Sequence, residues 1–349
     1  MSDKPHLHIV SFDIPLPANY GGVIDVFHKL KALSRAGVSI KLHCFESSRQ
    51  RQDALADYCT EVHYYKRRKN TALLFGIQPF IVRSRTSSEL EDRLLSDSDP
   101  ILVEGIHCSA FMNRPAFDGR KCIVRAHNVE HDYYNGLASV ERRLSKHFYL
   151  RVEAFKLRRY EPVLRKATAI AAISPDDTAY FQTHYGKTFY LPAFHPFDQV
   201  TCRTGTGDFA FYHGNLSIGE NNQAACFLVR DVFAGLPYPL VIAGSNPSDE
   251  LQLLVSKTPN VRLLDGLSQE EIHEHVAAAA VNVLPTFQST GIKLKLLASL
   301  FNGRHCLVNE PMVLNTGLES LCIIAKDAAA FKSELQAIFE GKLFGQQEI

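Results

Sequence analysis

A chain of 349 residues is long enough for about two domains, at roughly 100–200 residues each. Its hydrophobic fraction of 46% and charged fraction of 21% are ordinary for folded proteins and exclude wholesale disorder. Lys and Arg number 38 against 37 Asp and Glu, too even a balance for a protein that coats nucleic acid, so no nucleic-acid partner is expected.

The first apolar run, Leu7 to Phe12, ends at Pro15 and Pro17 and reads as a buried strand followed by a loop. Gly21 and Gly22 open a helical pattern in which Val23, Val26, Phe27, Leu30 and Leu33 recur at spacings of three and four, and Gly37 stops it. A second strand, Val38 to Phe45, completes a βαβ unit. The alternation goes on with strands near 61–65, 101–104, 121–126, 168–173 and 188–191. Between them lie a helix over 87–95, a long helical stretch over 140–166 and a helix from Ser174, with Asp177 as an acidic capping partner, to Tyr185.

Residues 192–207 break the pattern with Pro192, Pro196, Gly205 and Gly207, and residues 196–207 are expected to be the interdomain linker. A second alternation follows: strands near 209–213, 239–243, 260–264, 281–284 and 305–308, with helices near 221–232, 248–256, 268–279, 290–302 and 328–339. The prediction is an α/β protein with two Rossmann-like parallel-sheet domains, residues 1–195 and 208–349, facing across a cleft, its ligands bound beyond the carboxyl ends of the strands.

The eight cysteines form no C-x-x-C pair and most lie inside apolar runs. They are expected to be reduced and buried. No apolar run reaches the ~20 residues that span a bilayer, and the N-terminus carries no signal-peptide pattern. The expected location is cytoplasmic.

The polar residues worth most attention stand at strand ends. Paired Gly21 and Gly22 at a helix start suit either close approach to a phosphate or a tight turn. Glu104, Gly105 and His107 end one strand, and Arg125, His127, Asn128, Glu130 and His131 follow another. Two such strand ends carry enough acid–base chemistry to mark a candidate site. His127 and His131 are four apart but lack the H-E-x-x-H order, and no third ligand stands out, so no metal is expected. In the second half, His213-Gly214-Asn215 ends a strand, and Gly291 precedes Lys293 and Lys295 in a helix's first turn. Cations there oppose the helix dipole unless an anion is bound. Residues 141–166 hold nine Lys or Arg against three Glu, a net +6 in a chain of net +1. Either a solvated face or contact with an anionic membrane accounts for that bias.

Taken together, Asn19-Tyr20-Gly21-Gly22, Val103-Glu104-Gly105, Arg125-Ala126-His127-Asn128, Ala172-Ile173-Ser174, His213-Gly214-Asn215-Leu216-Ser217, Ile242-Ala243-Gly244 and Gly291-Ile292-Lys293-Leu294-Lys295 resemble the retaining family 4 glycosyltransferases of the GT-B fold. The resemblance implies sugar transfer from a nucleotide-diphosphate-sugar donor to an acceptor hydroxyl of a glycan or lipid-linked precursor. It implies retention of configuration, no metal, and no cofactor beyond the donor. Under it, Gly21, Gly22, Gly214, Asn215, Gly244, Thr290, Gly291, Ile292 and Lys293 would hold the donor. His127, Glu130 and Glu104 would serve catalysis, and His107, Arg125 and Asn128 the acceptor. It further implies that the last helix crosses back onto the first domain, and it is compatible with peripheral contact at the inner membrane face through residues 141–166. The sequence departs from the family where two glutamates eight apart are usual: Thr290 and Ala298 stand there. That departure keeps open an inactive nucleotide-sugar-binding scaffold, alongside a sugar-nucleotide epimerase on the same fold.

Overall fold

The computed structural model describes residues 4–141, 143–287, 293–314, 316–341 and 344–345. They form two units, 1–196 and 197–349. Residues 197–207 belong to the second unit, where Thr201 N donates to Phe301 O at 2.7 Å and Gly205 bridges to Phe344.

In the first unit the chain runs β1 (His6–Ser11), α1 (Gly21–Arg35), β2 (Ser39–Glu46), β3 (Glu61–Lys66), α2 (Phe80–Arg83), α3 (Ser88–Leu95) and β4 (Ile101–Glu104). It continues through β5 (Cys122–Ala126), α4 (Glu130–Val140), α5 (Leu144–Tyr160), β6 (Ala169–Ala172), α6 (Pro175–Tyr185) and β7 (Thr188–Tyr190). The strands pair in parallel in the order β3-β2-β1-β4-β5-β6-β7. Both faces of the central strands are covered, which is why β1 reads as a continuous apolar run rather than an alternation. The order reverses between β1 and β4, so the loops after those strands diverge and leave a crevice at the carboxyl edge.

The second unit repeats the plan with β8 (Ala210–His213), α7 (Gly219–Phe227), β9 (Leu240–Ala243), α8 (Asp249–Ser256), β10 (Val261–Leu264), α9 (Gln269–Ala278) and β11 (Val281–Leu284). Then come α10 (Leu294–Asn302), β12 (His305–Val308), α11 (Glu310–Val313), β13 (Ile323–Ile324) and α12 (Ala328–Phe339). Its sheet order is β10-β9-β8-β11-β12-β13, and its switch point lies between β8 and β11.

Local chemistry explains the boundaries. Ser87, Ser174, Ser248 and Asp327 each cap a helix by accepting a backbone N–H, and Ser268 with Glu271 forms a full capping box. The stretch expected as one helix over 140–166 is interrupted. α4 ends at Val140, α5 at Tyr160, and Pro162 sits in a separate 3₁₀ turn, Glu161–Lys166, because proline cannot donate into the helix. The helix expected from Asn221 begins at Gly219 and ends in a π turn, Leu228–Phe233. Phe331, Leu335 and Ile338 of α12 are buried in the second unit's own core. All eight cysteines are free thiols, and six are buried.

One buried polar string lies across the first sheet. His43 stands between His8, at 2.9 Å, and the Tyr65 hydroxyl, at 2.8 Å. Burial, reinforced by His8 and His63, lowers the His43 pKa to about 2, against an ordinary value of 6.5. The folded state therefore holds this ring neutral. Its contribution to stability is complete above pH 6.5 and is lost as pH falls from there toward 2. Thermal melts from pH 7.5 to 4.5 will show a steeper loss of Tm in the wild type than in His43→Gln, whose side chain cannot take up a proton in that range.

Candidate functional site

In the first unit the site is built from α1 and the ends of β4 and β5. α1 begins at Gly21, and no residue caps it by a side-chain bond. Gly22 has no left-handed backbone. It is glycine because a Cβ there would lie 2.7 Å from the Phe12 ring. The Cβ direction at Gly22 is taken by the Phe12 ring, while the residue itself stays partly exposed. At the end of β4, Gly105 has φ +70, a conformation that L side chains rarely adopt, and a Cβ there would meet His107 Nδ1 at 2.4 Å.

Beneath this edge lies a closed charge network. Asp25 of α1 accepts from Arg125 Nη2 at 2.8 Å and Nε at 3.1 Å, from Lys29 Nζ at 2.9 Å and from Phe194 N at 2.8 Å. Lys29 also donates to Glu104 Oε1 at 2.7 Å, and the other Glu104 oxygen lies 3.1 Å from His127 Nε2. Arg125 donates further to the carbonyls of Leu191 and Pro192. Two carboxylates thus meet two fixed cations. Burial opposes ionisation of Asp25 and of Glu104, but Lys29 beside both, with Arg125 and His127, holds each carboxyl below its ordinary range.

Glu104 and Arg125, both expected at the site, are each 0% exposed. Asp25 and two backbone carbonyls enclose Arg125, and Glu104 is held between Lys29 and His127. The groups of this edge that stay partly exposed are His127, Asn128 and His107. A small cavity is lined by Gly105, Ile106, His127, Asn128, Glu130 and Glu161. Glu130 is buried, and desolvation raises its pKa to about 7 although the Asn128 side chain hydrogen-bonds it. His107 Nε2 lies 3.9 Å from Glu130 Oε2, while its Nδ1 is buried with no hydrogen-bond partner among the described residues. His131 turns away: it is tied to Asp132 at 3.0 Å and to Tyr180 at 3.0 Å.

In the second unit, β8 ends in His213, whose pKa burial lowers to about 3. Gly214 packs on Asn221, where a Cβ would come to 3.1 Å. Asn221 Nδ2 in turn donates to the Asn215 carbonyl at 3.0 Å. Gly244, at the end of β9, has no room for a Cβ, which would fall 2.0 Å from the Gly214 carbonyl and 2.8 Å from Leu216. Lys293 is the N-cap of α10, with Nζ 3.5 Å from Glu220 Oε1. Lys295 is half-buried, donating to Asn221 Oδ1 at 3.0 Å and Tyr212 Oη at 3.3 Å over the Tyr212 ring. Burial lowers its pKa to about 8, with Glu220 raising and Lys293 lowering it. Thr290, Gly291 and Ile292 lie outside the described residues.

Four members of these clusters escape a reading of the sequence: Asp25, Lys29, Glu220 and Thr286, whose hydroxyl donates to Glu220. The signal for the first two was a charged i, i+4 pair on the apolar face of α1, between Val23, Val26 and Leu30. The sequence reading also passes over a D-x-D pair, Asp97-Ser98-Asp99. With His8 it could hold a metal ion, but Lys41 Nζ pairs with both aspartates, and the pair precedes β4 at the amino edge, away from the crevice. Asp25, Glu104 and His127 form the other such set among the described residues. There Lys29 Nζ already bridges the two carboxylates.

No family model matches the chain. A Klebsiella pneumoniae protein described as "Uncharacterized 44.6 kDa protein in cps region" is 26% identical over 98% of this chain and 92% of its own length. Among solved structures, one titled trehalose-6-phosphate from E. coli bound with UDP-2-fluoro glucose matches with a TM-score of 0.64 at 11% identity. It covers 96% of this chain and 91% of that one. An alpha-glucosyltransferase in complex with UDP and a 13-mer DNA matches with a TM-score of 0.57 at 12% identity, covering 97% and 90%. At such identities the likeness is one of fold, and that fold is the GT-B arrangement of two parallel α/β units expected from the sequence.

Removing Asp25 leaves Lys29 and Arg125 facing one carboxylate inside the protein. Asp25→Ala is expected to cost about 3–5 kcal/mol of unfolding free energy. His127→Ala, at the partly open rim, is expected to cost less than about 2 kcal/mol. Urea unfolding of the two variants checks the order.

Proposed function

We propose that the chain is a glycosyltransferase that moves a sugar from a nucleotide-diphosphate donor to an acceptor hydroxyl. The observation that carries the reading is the pair of half-buried lysines, Lys293 and Lys295, grouped with Glu220 at the second unit's switch point, where α10 starts. A diphosphate in that position meets both ammonium groups and the positive end of the helix.

In this reading Lys293 and Lys295 stabilise the diphosphate as its negative charge grows on departure, and Gly214 and Asn215 line the donor seat. Gly244 serves indirectly, by letting the Gly214 loop settle against β9. Gly21 supplies backbone N–H groups at the α1 terminus, with Gly22 keeping Phe12 beneath it. His127, oriented by Glu104, stands at the transferred sugar, and Glu130, titrating near neutrality, orients the acceptor with Asn128 and His107. Arg125 supports the site from below. Retention needs no protein nucleophile if the acceptor attacks the face that the leaving phosphate vacates and that phosphate takes its proton. Metal independence is supported by the lysines, which supply the charge a divalent ion would bring. The fold neighbours solved with UDP or a UDP-sugar bound support a nucleotide-sugar donor. The cps-region description of the Klebsiella relative supports polysaccharide biosynthesis as the setting. A lipid-linked acceptor would place the enzyme in the cytoplasm at the inner membrane face.

The test is a thermal-shift panel of UDP, GDP, dTDP, ADP and CMP, followed by transfer assays. One diphosphate is expected to raise Tm, by about 2.7 kcal/mol of stabilisation at ~100 Kd, and Lys293→Ala is expected to abolish the shift. A flat response to every nucleotide at millimolar concentration overturns the reading in favour of a scaffold. Release of an epimerised nucleotide sugar without acceptor overturns it in favour of an epimerase. Because an anion binds the protonated form of Lys295 better, diphosphate affinity is expected to weaken as pH rises through about 8. His127→Ala is expected to lower transfer by about 100-fold or more while leaving the diphosphate shift in place.

A further inference from the structure

The outward face of α5 is the opposite of what a solvated helix presents. Leu150, Glu153, Ala154, Leu157 and Tyr160 form its buried side. Leu144, Phe148, Arg151 and Phe155 fall within about 60° of one another around the axis, on the other side. There Leu144 is 86% exposed, Phe148 70% and Phe155 63%. Beside this face, Lys156 Nζ donates to the Leu74 carbonyl at 2.6 Å, so α5 holds the loop whose next residues, Phe75 and Ile77, are 91% and 85% exposed. Arg83 Nη1 pins the same loop through the Leu73 carbonyl at 2.8 Å. Large apolar side chains grouped at a surface mark a contact.

The charge around them says with what. Arg143, Lys146, Arg151, Arg158 and Arg159 are exposed along the helix, and Arg159 lies over the Phe155 ring. The sole carboxylate of α5, Glu153, is buried and engaged with Phe80 N and Lys156. Lys66, Arg68 and Lys69, also exposed, lead into the apolar loop. Aromatic and aliphatic side chains ringed by arginine and lysine, with no exposed acid on the helix, match the interface of a bilayer bearing anionic headgroups. No described helix is long and apolar enough to cross a membrane, so the contact is with the surface.

We infer that the outer face of α5 and the Phe75–Ile77 loop form a docking surface for an anionic lipid bilayer. The apolar side chains enter the headgroup boundary, and the arginines pair with lipid phosphates. The inference extends the membrane setting of the proposed transferase, but its own evidence is this surface alone.

The experiment is co-sedimentation of the full chain with vesicles of phosphatidylcholine, with and without phosphatidylglycerol, in the absence of donor and acceptor. Binding is expected to the anionic vesicles, about tenfold or more above the neutral ones, and to weaken with salt. Phe148→Ser with Phe155→Ser, and separately Arg158→Gln with Arg159→Gln, are each expected to lower it about tenfold or more. All four positions are exposed, and unchanged melting curves will show that the variants fold. Absence of binding to anionic vesicles, equal binding to both vesicle types, or binding that survives both pairs of substitutions overturns the inference. So does a vesicle-free dimer that Phe148→Ser disperses, which would make this face an interface between two copies. Vesicle binding without any nucleotide response leaves the docking surface standing while the transferase reading falls.

Discussion

Everything polar at the first crevice depends on one buried carboxylate. Asp25 accepts from Arg125, Lys29 and the Phe194 amide, so it joins a helix, a strand and the chain beyond the last strand of that unit. Its charge makes the burial of Arg125 tolerable, and Arg125 in turn fixes the carboxyl end of β5 from which His127 emerges. Lys29 completes the circuit by holding Glu104, the partner of His127. Buried charges in such numbers stabilise little in net terms. They set, from beneath, the position of one imidazole that lines the cavity.

The second unit repeats the topology with a different electrical balance. At the first switch point two carboxylates answer two fixed cations. At the second, Lys293 and Lys295 gather beside Glu220. The common fold gives both units an open carboxyl edge, and the side chains placed there give the two edges different chemistry, a closed network of opposite charges at one and a lysine pair at the other.

Much of this was legible in the residues. Apolar periodicity located the strands and most helices, because a strand in a covered parallel sheet has no other way to be read than as a short apolar run. Strand-end position singled out His127, Glu130 and Lys293 for the same reason. What the sequence hid was partnership. Asp25 and Arg125 are separated by 100 positions and Lys29 and Glu104 by 75, and nothing local distinguishes a charged residue that will be swallowed from one that will be solvated. Hence Arg125 looked like a contact for the acceptor, while Asp25 looked like nothing. The same limit applies to Gly22 and Gly244: the sequence shows that no side chain is present, and only tertiary packing shows that Phe12 and the Gly214 carbonyl claim the space. The basic bias of residues 141–166 was visible, yet the aromatic face that gives it a direction needed the helix to be set against its buried side.

The hold of Asp25 and Arg125 on Leu191, Pro192 and Phe194 has a mechanical consequence. These are the last residues of the first unit before the chain passes into the second. The strap leaving that unit is therefore riveted to the floor of the crevice, not draped over its rim. Tension on the strap is delivered to Arg125, and through Asp25 and Lys29 to Glu104 and the ring it steers. A disturbance of the floor travels outward along the same rivets, so the lever and the latch of this unit are one part.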